Sequence, residues 1–208
     1  MDALVMSGGR GKRMGSVEKP MLLLEDKPLI SYVVDALKAS SKIENINIAI
    51  SENVPLTEEY LRDTYGKGPD VRIIMTPGKG YIEDTRYAVE LLSLNEPFLI
   101  LSSDIPMITP DVIDDIITAY ENCGKEALSV WVDESCLKNI DINKDLTLDD
   151  SGRKLVPCGI NVINGKHIDR PQEESAIVYD NEALAININY PKDLEICREL
   201  IKNSPSSR

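Results

Sequence analysis

Histidine is almost missing from this chain: His167 is the only one in 208 residues. One imidazole leaves little room for histidine acid–base relays. His167 itself lies in the poorly patterned stretch NGKHIDRPQEE and reads as a surface residue. Positive charge is also scarce, with 23 Lys+Arg against 35 Asp+Glu and a net charge of -12. Such a field repels polyanions and excludes nucleic acid as an expected partner. The four cysteines, Cys123, Cys136, Cys158 and Cys197, form no Cys-x-x-Cys pair and have no neighbouring histidine, so they read as buried thiols and not as a zinc site. No apolar run approaches the roughly 20 residues that a membrane span requires. MDALVMSGG has an acidic second residue and too short an apolar run for a signal peptide, which points to a first strand and a cytoplasmic location.

What is present is ordinary globular usage, 42% hydrophobic and 28% charged, in a chain short enough for one core. ALVM (3–6), INIAI (46–50), VRIIM (71–75) and FLILSS (98–103) are short, rich in Ile, Val and Leu, and bounded by polar or Gly/Pro turns. They predict buried parallel strands. Between them, 28–40, 56–66, 81–93 and 109–124 place apolar residues at helical spacing, the last with a proline in its first turn and a terminal glycine. This β-α alternation predicts a three-layer, Rossmann-like α/β fold, a mostly parallel mixed sheet with helices on both faces. The rhythm then changes. Strands are expected at 127–132, 154–164 and 182–189, with a closing helix at 191–203. The acidic segment 133–153 is expected as a loop or hairpin over a cleft. The expected organisation is a single domain, 1–208, with a parallel half (1–125) followed by a mixed half (126–208).

Against the acidic background, VMSGGRGKRMGSVEKPMLLL (5–24) is basic and glycine-rich. In open α/β sheets ligands bind beyond the carboxyl ends of strands, and this loop follows the first one. Ser7, Gly8, Gly9 and Gly11 let backbone N–H groups approach phosphate oxygens, while Arg10, Lys12, Arg13 and Lys19 supply charge. The loop reads as a local anion trap. It is not a Walker loop, because Gly11-Lys12 is followed by Arg13, and the G-x-G-x-x-G fingerprint fails at Met14.

Gly8-Gly9-Arg10-Gly11-Lys12-Arg13-Met14, followed by Lys19-Pro20, resembles the G-G-x-G-x-R-M and K-P signature of the MobA-like nucleotidyltransferases. SGGRGKRMGSVEKP, GKGYIED (78–84), SSDIP (102–106), VPCGINVI (156–163) and NINYPKDL (187–194) together resemble the archaeal branch of that superfamily acting on cobinamide. The resemblance spans nearly the whole chain and implies that 1–125 is the nucleotide-binding half and 126–208 the acceptor-binding half with the closing helix. It implies transfer of GMP from GTP to adenosylcobinamide phosphate, with release of pyrophosphate. Other acceptors, molybdopterin or a sugar phosphate, are the alternative, as is a catalytically silent nucleotide-sensing domain. A homodimer is left open.

Asp104 follows a fully apolar strand at the sheet edge facing the first loop. A capping aspartate is one reading. The other is a Mg²⁺ ligand, since a hard dication bridging phosphate oxygens takes carboxylate oxygen. The resemblance implies the metal role for Asp104, with a second contact from Asn187 or Asn189. It also places Gly78 and Gly80 beside the base, and Gly159 and Asn161 beside the acceptor. Arg13 and the first loop are expected to hold the β- and γ-phosphates, and Lys19 with Mg²⁺ to act at the α-phosphate. A phosphate monoester acceptor has a second pKa of about 6 and is ionised at neutral pH, so no general base is required.

Overall fold

The computed structural model describes residues 1–9, 11, 17–137, 148–150 and 152–203. Its centre is one sheet. β1 (Asp2–Met6) lies between β4 (Ile46–Ser51) and β6 (Pro97–Ser102), and β5 (Val71–Thr76) extends the sheet beyond β4. These four strands are parallel. Beyond β6 comes β9 (Arg153–Asn164), antiparallel to its neighbours, then β7 (Ala127–Asp133) and β10 (Glu174–Tyr179), the last parallel to β7. β2 (Leu23–Leu24) and β3 (Lys27–Pro28) form a small separate hairpin.

Alternation along the strands sorts side chains to the two faces. Val5, Ile48, Ile50, Leu99 and Leu101 pack with α1 (Leu29–Ala39), α2 (Pro55–Thr64) and α4 (Pro110–Cys123). Leu4, Met6, Ala49, Ile74, Phe98 and Ile100 pack with α3 (Tyr81–Leu92) on the other face. The three-layer expectation is met for this reason: both sheet faces are apolar and each is covered. Truncating Phe98, fully buried, to Ala would cost about 3–5 kcal/mol. Local signals set the helix ends. α4 starts at Pro110 after Thr109, whose hydroxyl accepts from Val112 N, and stops at Gly124 in the left-handed region.

The second half departs from the sequence reading at two places. The expected strand 182–189 is not one. Glu182–Ala185 forms a 3₁₀ turn, and Ile186 and Ile188 pack in a third cluster with Leu24, Leu29 and Leu194 of α5 (Pro191–Asn203). An extended segment buried on one side has the alternation of a strand without a ladder partner. The strand is instead ESAIVY, 174–179, at the sheet edge, where partial exposure dilutes the pattern. Within 133–153, β8 (Leu148–Asp150) pairs antiparallel with the start of β9, consistent with a hairpin; residues 138–147 and 151 lie outside the described residues. Among the described residues, no helix is long and apolar enough to cross a membrane.

Candidate functional site

The carboxyl ends of β1, β4, β5 and β6 open into one cleft of about 660 Å³, a size suited to a small-molecule ligand. Ser7, Gly8 and Gly9 enter it from β1, Asn53 from the turn after β4, Gly78 to Tyr81 from the turn after β5, and Ser103 and Asp104 from the turn after β6. Lys19 and Asn189 complete its polar side.

The turn after β1 is held by its neighbours. Ser7 N donates to Ala49 O at 2.8 Å, the Ser7 hydroxyl to Ser103 Oγ at 3.1 Å, and Ser51 Oγ to Gly8 O at 2.8 Å. Gly11 has φ +56, and a Cβ there would sit 2.2 Å from Val17 O. Only glycine fits that contact. Arg10, Lys12 and Arg13 lie outside the described residues.

Lys19 follows Glu18 into a short 3₁₀ turn ending at Met21. Its ammonium is ion-paired with Asp104 Oδ2 and donates to Asn189 Oδ1 at 3.1 Å. The three residues come from remote parts of the sequence. Asp104 is buried, and its other carboxylate oxygen, Oδ1, has no hydrogen-bond partner among the described residues. A buried carboxylate oxygen without a donor is costly. An anionic oxygen left without a donor on a residue that lines a polar cleft, with an amide oxygen nearby, is the donor set a hard divalent cation takes, so Asp104 and Asn189 fit Mg²⁺. Among the described residues no three His, Cys, Asp or Glu side chains are placed to hold a metal ion together, so other oxygens, from phosphate or water, would have to fill the shell.

The two asparagines separate. Ile188 N donates to Asp104 O at 3.0 Å, which brings the segment alongside the turn after β6. Asn189 then faces Lys19, while Asn187 Nδ2 donates to Cys158 O at 3.4 Å on β9. Asp193 secures the turn by accepting from Asn189 N and Tyr190 N, both at 2.7 Å. Gly159, φ +71, lies where three residues of β9 face one of β7, a bulge that glycine accommodates. Neither Gly159 nor Asn161 is among the cleft residues.

The turn after β5 carries Gly78, φ +68, where a Cβ would meet Asn53 Nδ2 at 2.9 Å. Asp84, buried in the first turn of α3, accepts from Lys79 N at 3.2 Å and Gly80 N at 3.3 Å. Those two backbone donors are therefore committed, which narrows the expectation that backbone groups near Gly78 and Gly80 read a base. Asp84 was not among the expected site residues. Neither was Glu18, which bonds across to α2. The signal for Asp84 was an acid in the first turn after a glycine pair; Glu18 had none, because its partners are distant in sequence.

His167 stands apart, its Nδ1 2.9 Å from Glu126 Oε1. Arg170 also binds Glu126 and holds its carboxyl down to about 2. All four cysteines are free; Cys158 and Cys197 are buried, whereas Cys123 and Cys136 are half-buried. Burial pushes the Cys158 and Cys197 thiols up to about 12.

Known proteins share this architecture. Residues 3–147 match the MobA-like NTP transferase domain. The chain is 41% identical to the adenosylcobinamide-phosphate guanylyltransferase of Methanocaldococcus jannaschii, over 97% of this chain and 98% of that protein. It is 32% identical to the probable molybdenum cofactor guanylyltransferase of Thermococcus kodakarensis, over 61% of this chain and 57% of that one. The crystal structure of 4-diphosphocytidyl-2C-methyl-D-erythritol synthase from Anaerococcus prevotii superposes with a TM-score of 0.71, at 11% identity, covering 97% of this chain and 96% of that chain, which shows the shared fold. The chain therefore belongs to the MobA-like NTP transferase family, within which it is a full-length relative of an adenosylcobinamide-phosphate guanylyltransferase.

Proposed function

We propose that this protein transfers GMP from GTP to adenosylcobinamide phosphate. The observation that carries nucleotidyl transfer is the meeting of Lys19, Asp104 and Asn189 at one end of a glycine-lined cleft. The choice of acceptor rests on the full-length similarity to the Methanocaldococcus protein.

In this reading an oxygen of the acceptor's phosphate attacks the α-phosphorus of GTP in line. The new bond is oxygen to α-phosphorus, and the bond from α-phosphorus to the bridging oxygen breaks, releasing pyrophosphate. The attacking oxygen is already ionised, so no residue need take a proton. What the chain supplies is alignment and charge. Gly8, Gly9 and Gly11 present backbone to the triphosphate, and Arg13, with Arg10 and Lys12, neutralises its β and γ groups. Lys19 meets the charge that develops around the α-phosphate. Asp104 and Asn189 would hold Mg²⁺, which when bound withdraws charge from phosphate oxygens. Asn187, turned toward β9, would serve the acceptor side with Gly159 and Asn161. In this reading residues 1–125, completed by Asn189, form the nucleotide side and the rest of 126–208 the acceptor side of one domain, in a cytoplasmic biosynthetic enzyme.

The test is pyrophosphate release with each of GTP, ATP, CTP and UTP, Mg²⁺, and either adenosylcobinamide phosphate, molybdopterin or a sugar phosphate. Release confined to GTP with the cobinamide substrate is expected. Equal rates with every nucleotide would remove the guanine assignment, and a better acceptor would replace cobinamide.

A further inference from the structure

Helix α2 begins without a cap of its own. Its N-cap residue, Val54, offers no side-chain acceptor, and Pro55 at the first position has no N–H. The next two donors are taken by a residue far away in sequence. Glu18 Oε1 accepts from Leu56 N at 2.9 Å, and Glu18 Oε2 accepts from Thr57 N and Thr57 Oγ1, both at 2.7 Å. Thr57 is fully buried. An anionic acceptor at a helix N-terminus, with three donors in hydrogen-bond range, is a strong attachment.

Glu18 is also the residue immediately before Lys19. Val17, its other neighbour, presents the carbonyl oxygen that packs against Gly11. Past Lys19 the chain is fixed independently: Pro20 is buried, Met21 N donates to Glu18 O, and Leu22 N donates to Lys19 O. The Lys19 stem is thus fastened on one side by the Glu18 carboxylate and on the other by the 3₁₀ turn. A flexible four-carbon side chain reaches Asp104 and Asn189 together only if its backbone origin is fixed.

We propose that Glu18 is a positioning residue for Lys19, with α2 serving as the anchor against which the lysine is aimed. The inference deepens the nucleotidyl-transfer reading and rests on it for its kinetic consequence. A displaced ammonium loses rate much more than it loses ground-state binding, because its charge is needed where negative charge develops.

The test is a double-mutant cycle on full-length protein with Glu18→Ala, Lys19→Ala and both, following kcat and KM for GTP in pyrophosphate release, together with the Lys19 ammonium resonance by nitrogen-15 NMR. Glu18→Ala is expected to lower kcat about 10–100-fold with a smaller change in KM. The melting temperature should fall only by about 2–4 °C, as for one lost cap in a chain of this size. In the Lys19→Ala background the same change should cost no more than about twofold, since the residue through which it acts is gone. The Lys19 resonance should shift or broaden in Glu18→Ala. An equal loss of kcat in both backgrounds, or an unchanged Lys19 resonance, overturns the inference. Should Glu18→Ala not fold, Glu18→Gln, which keeps size but loses the charge and one acceptor, is run through the same cycle, and either of those two results overturns the inference there as well. A wild-type protein that releases no pyrophosphate while its Lys19 resonance responds to Glu18 would overturn the transferase reading and leave the positioning role standing.

Discussion

Lys19 Nζ serves Asp104 and Asn189 at once, ion-paired with the carboxylate and 3.1 Å from the amide oxygen. The pair is largely sheltered, with side-chain exposures of 21% for Lys19 and 10% for Asp104, so salt screens it less than a surface pair. A divalent cation arriving at the unpartnered Asp104 Oδ1 would share the carboxylate and the Asn189 amide oxygen with that ammonium, and the two positive charges would oppose each other. Lys19→Met is therefore expected to raise the affinity of the nucleotide-free protein for Mn²⁺ by about tenfold, ~1.4 kcal/mol, while lowering turnover by about 10²–10³. Electron paramagnetic resonance titration of Mn²⁺ checks the first and steady-state kinetics the second. Unchanged affinity for Mn²⁺ would show that lysine and metal do not share a site.

Asp104→Asn keeps the shape of the side chain and removes the charge. The protein should fold with a melting temperature a few degrees lower, because the sheltered Lys19 ammonium loses its ion pair. Nucleotide affinity without metal should be unchanged or slightly better, and Mg²⁺-dependent pyrophosphate release at least about tenfold lower, equivalent to 1.36 kcal/mol in the barrier. Loss of melting temperature with normal turnover per folded molecule would make Asp104 a structural cap.

Gly11→Ala places a methyl group 2.2 Å from Val17 O at a φ of +56. Relief requires the turn after β1 to move, and the core below it is untouched. Calorimetry should find GTP binding weakened by about tenfold or more, with a melting temperature within a few degrees of wild type. Full GTP affinity in the variant would mean that this turn does not contact the triphosphate.

Thiol reactivity follows burial. With their thiols pushed up to about 12, Cys158 and Cys197 should remain unmodified by a thiolate-selective reagent at pH 8 until the protein unfolds. Cys123 and Cys136 are half-buried and should react first. Mass spectrometry of partly labelled protein gives the order directly, and early labelling of Cys158 would contradict it.

The parallel half was readable because each of its signals is local. Apolar runs such as FLIL are buried on both faces, Pro110 and Gly124 punctuate α4, and a glycine-rich turn follows the first strand. The edge strand at 174–179 escaped because only part of it is buried, and 186–188 mimicked a strand because the segment buries alternate residues without joining the sheet. The site divided the same way. Lys19 and Asp104 could be singled out by their places after strand and loop, but their contact depends on tertiary structure. So does the separation of Asn189 from Asn187, which follows from Ile188 N bonding Asp104 O and from the Cys158 carbonyl holding Asn187. Glu18 was invisible for the same reason, its three donors lying in a helix that starts at Pro55.

The most direct measurement of the central claim follows the phosphorus atoms. GTP labelled with ³²P at the α position in one reaction and at the γ position in another is incubated with the protein, Mg²⁺ and adenosylcobinamide phosphate, and the products are separated. The account predicts α-label in a cobinamide nucleotide and γ-label in pyrophosphate, in equal amounts. Transfer of γ-label to the cobinamide, or no cobinamide-bound label of either kind, would contradict it.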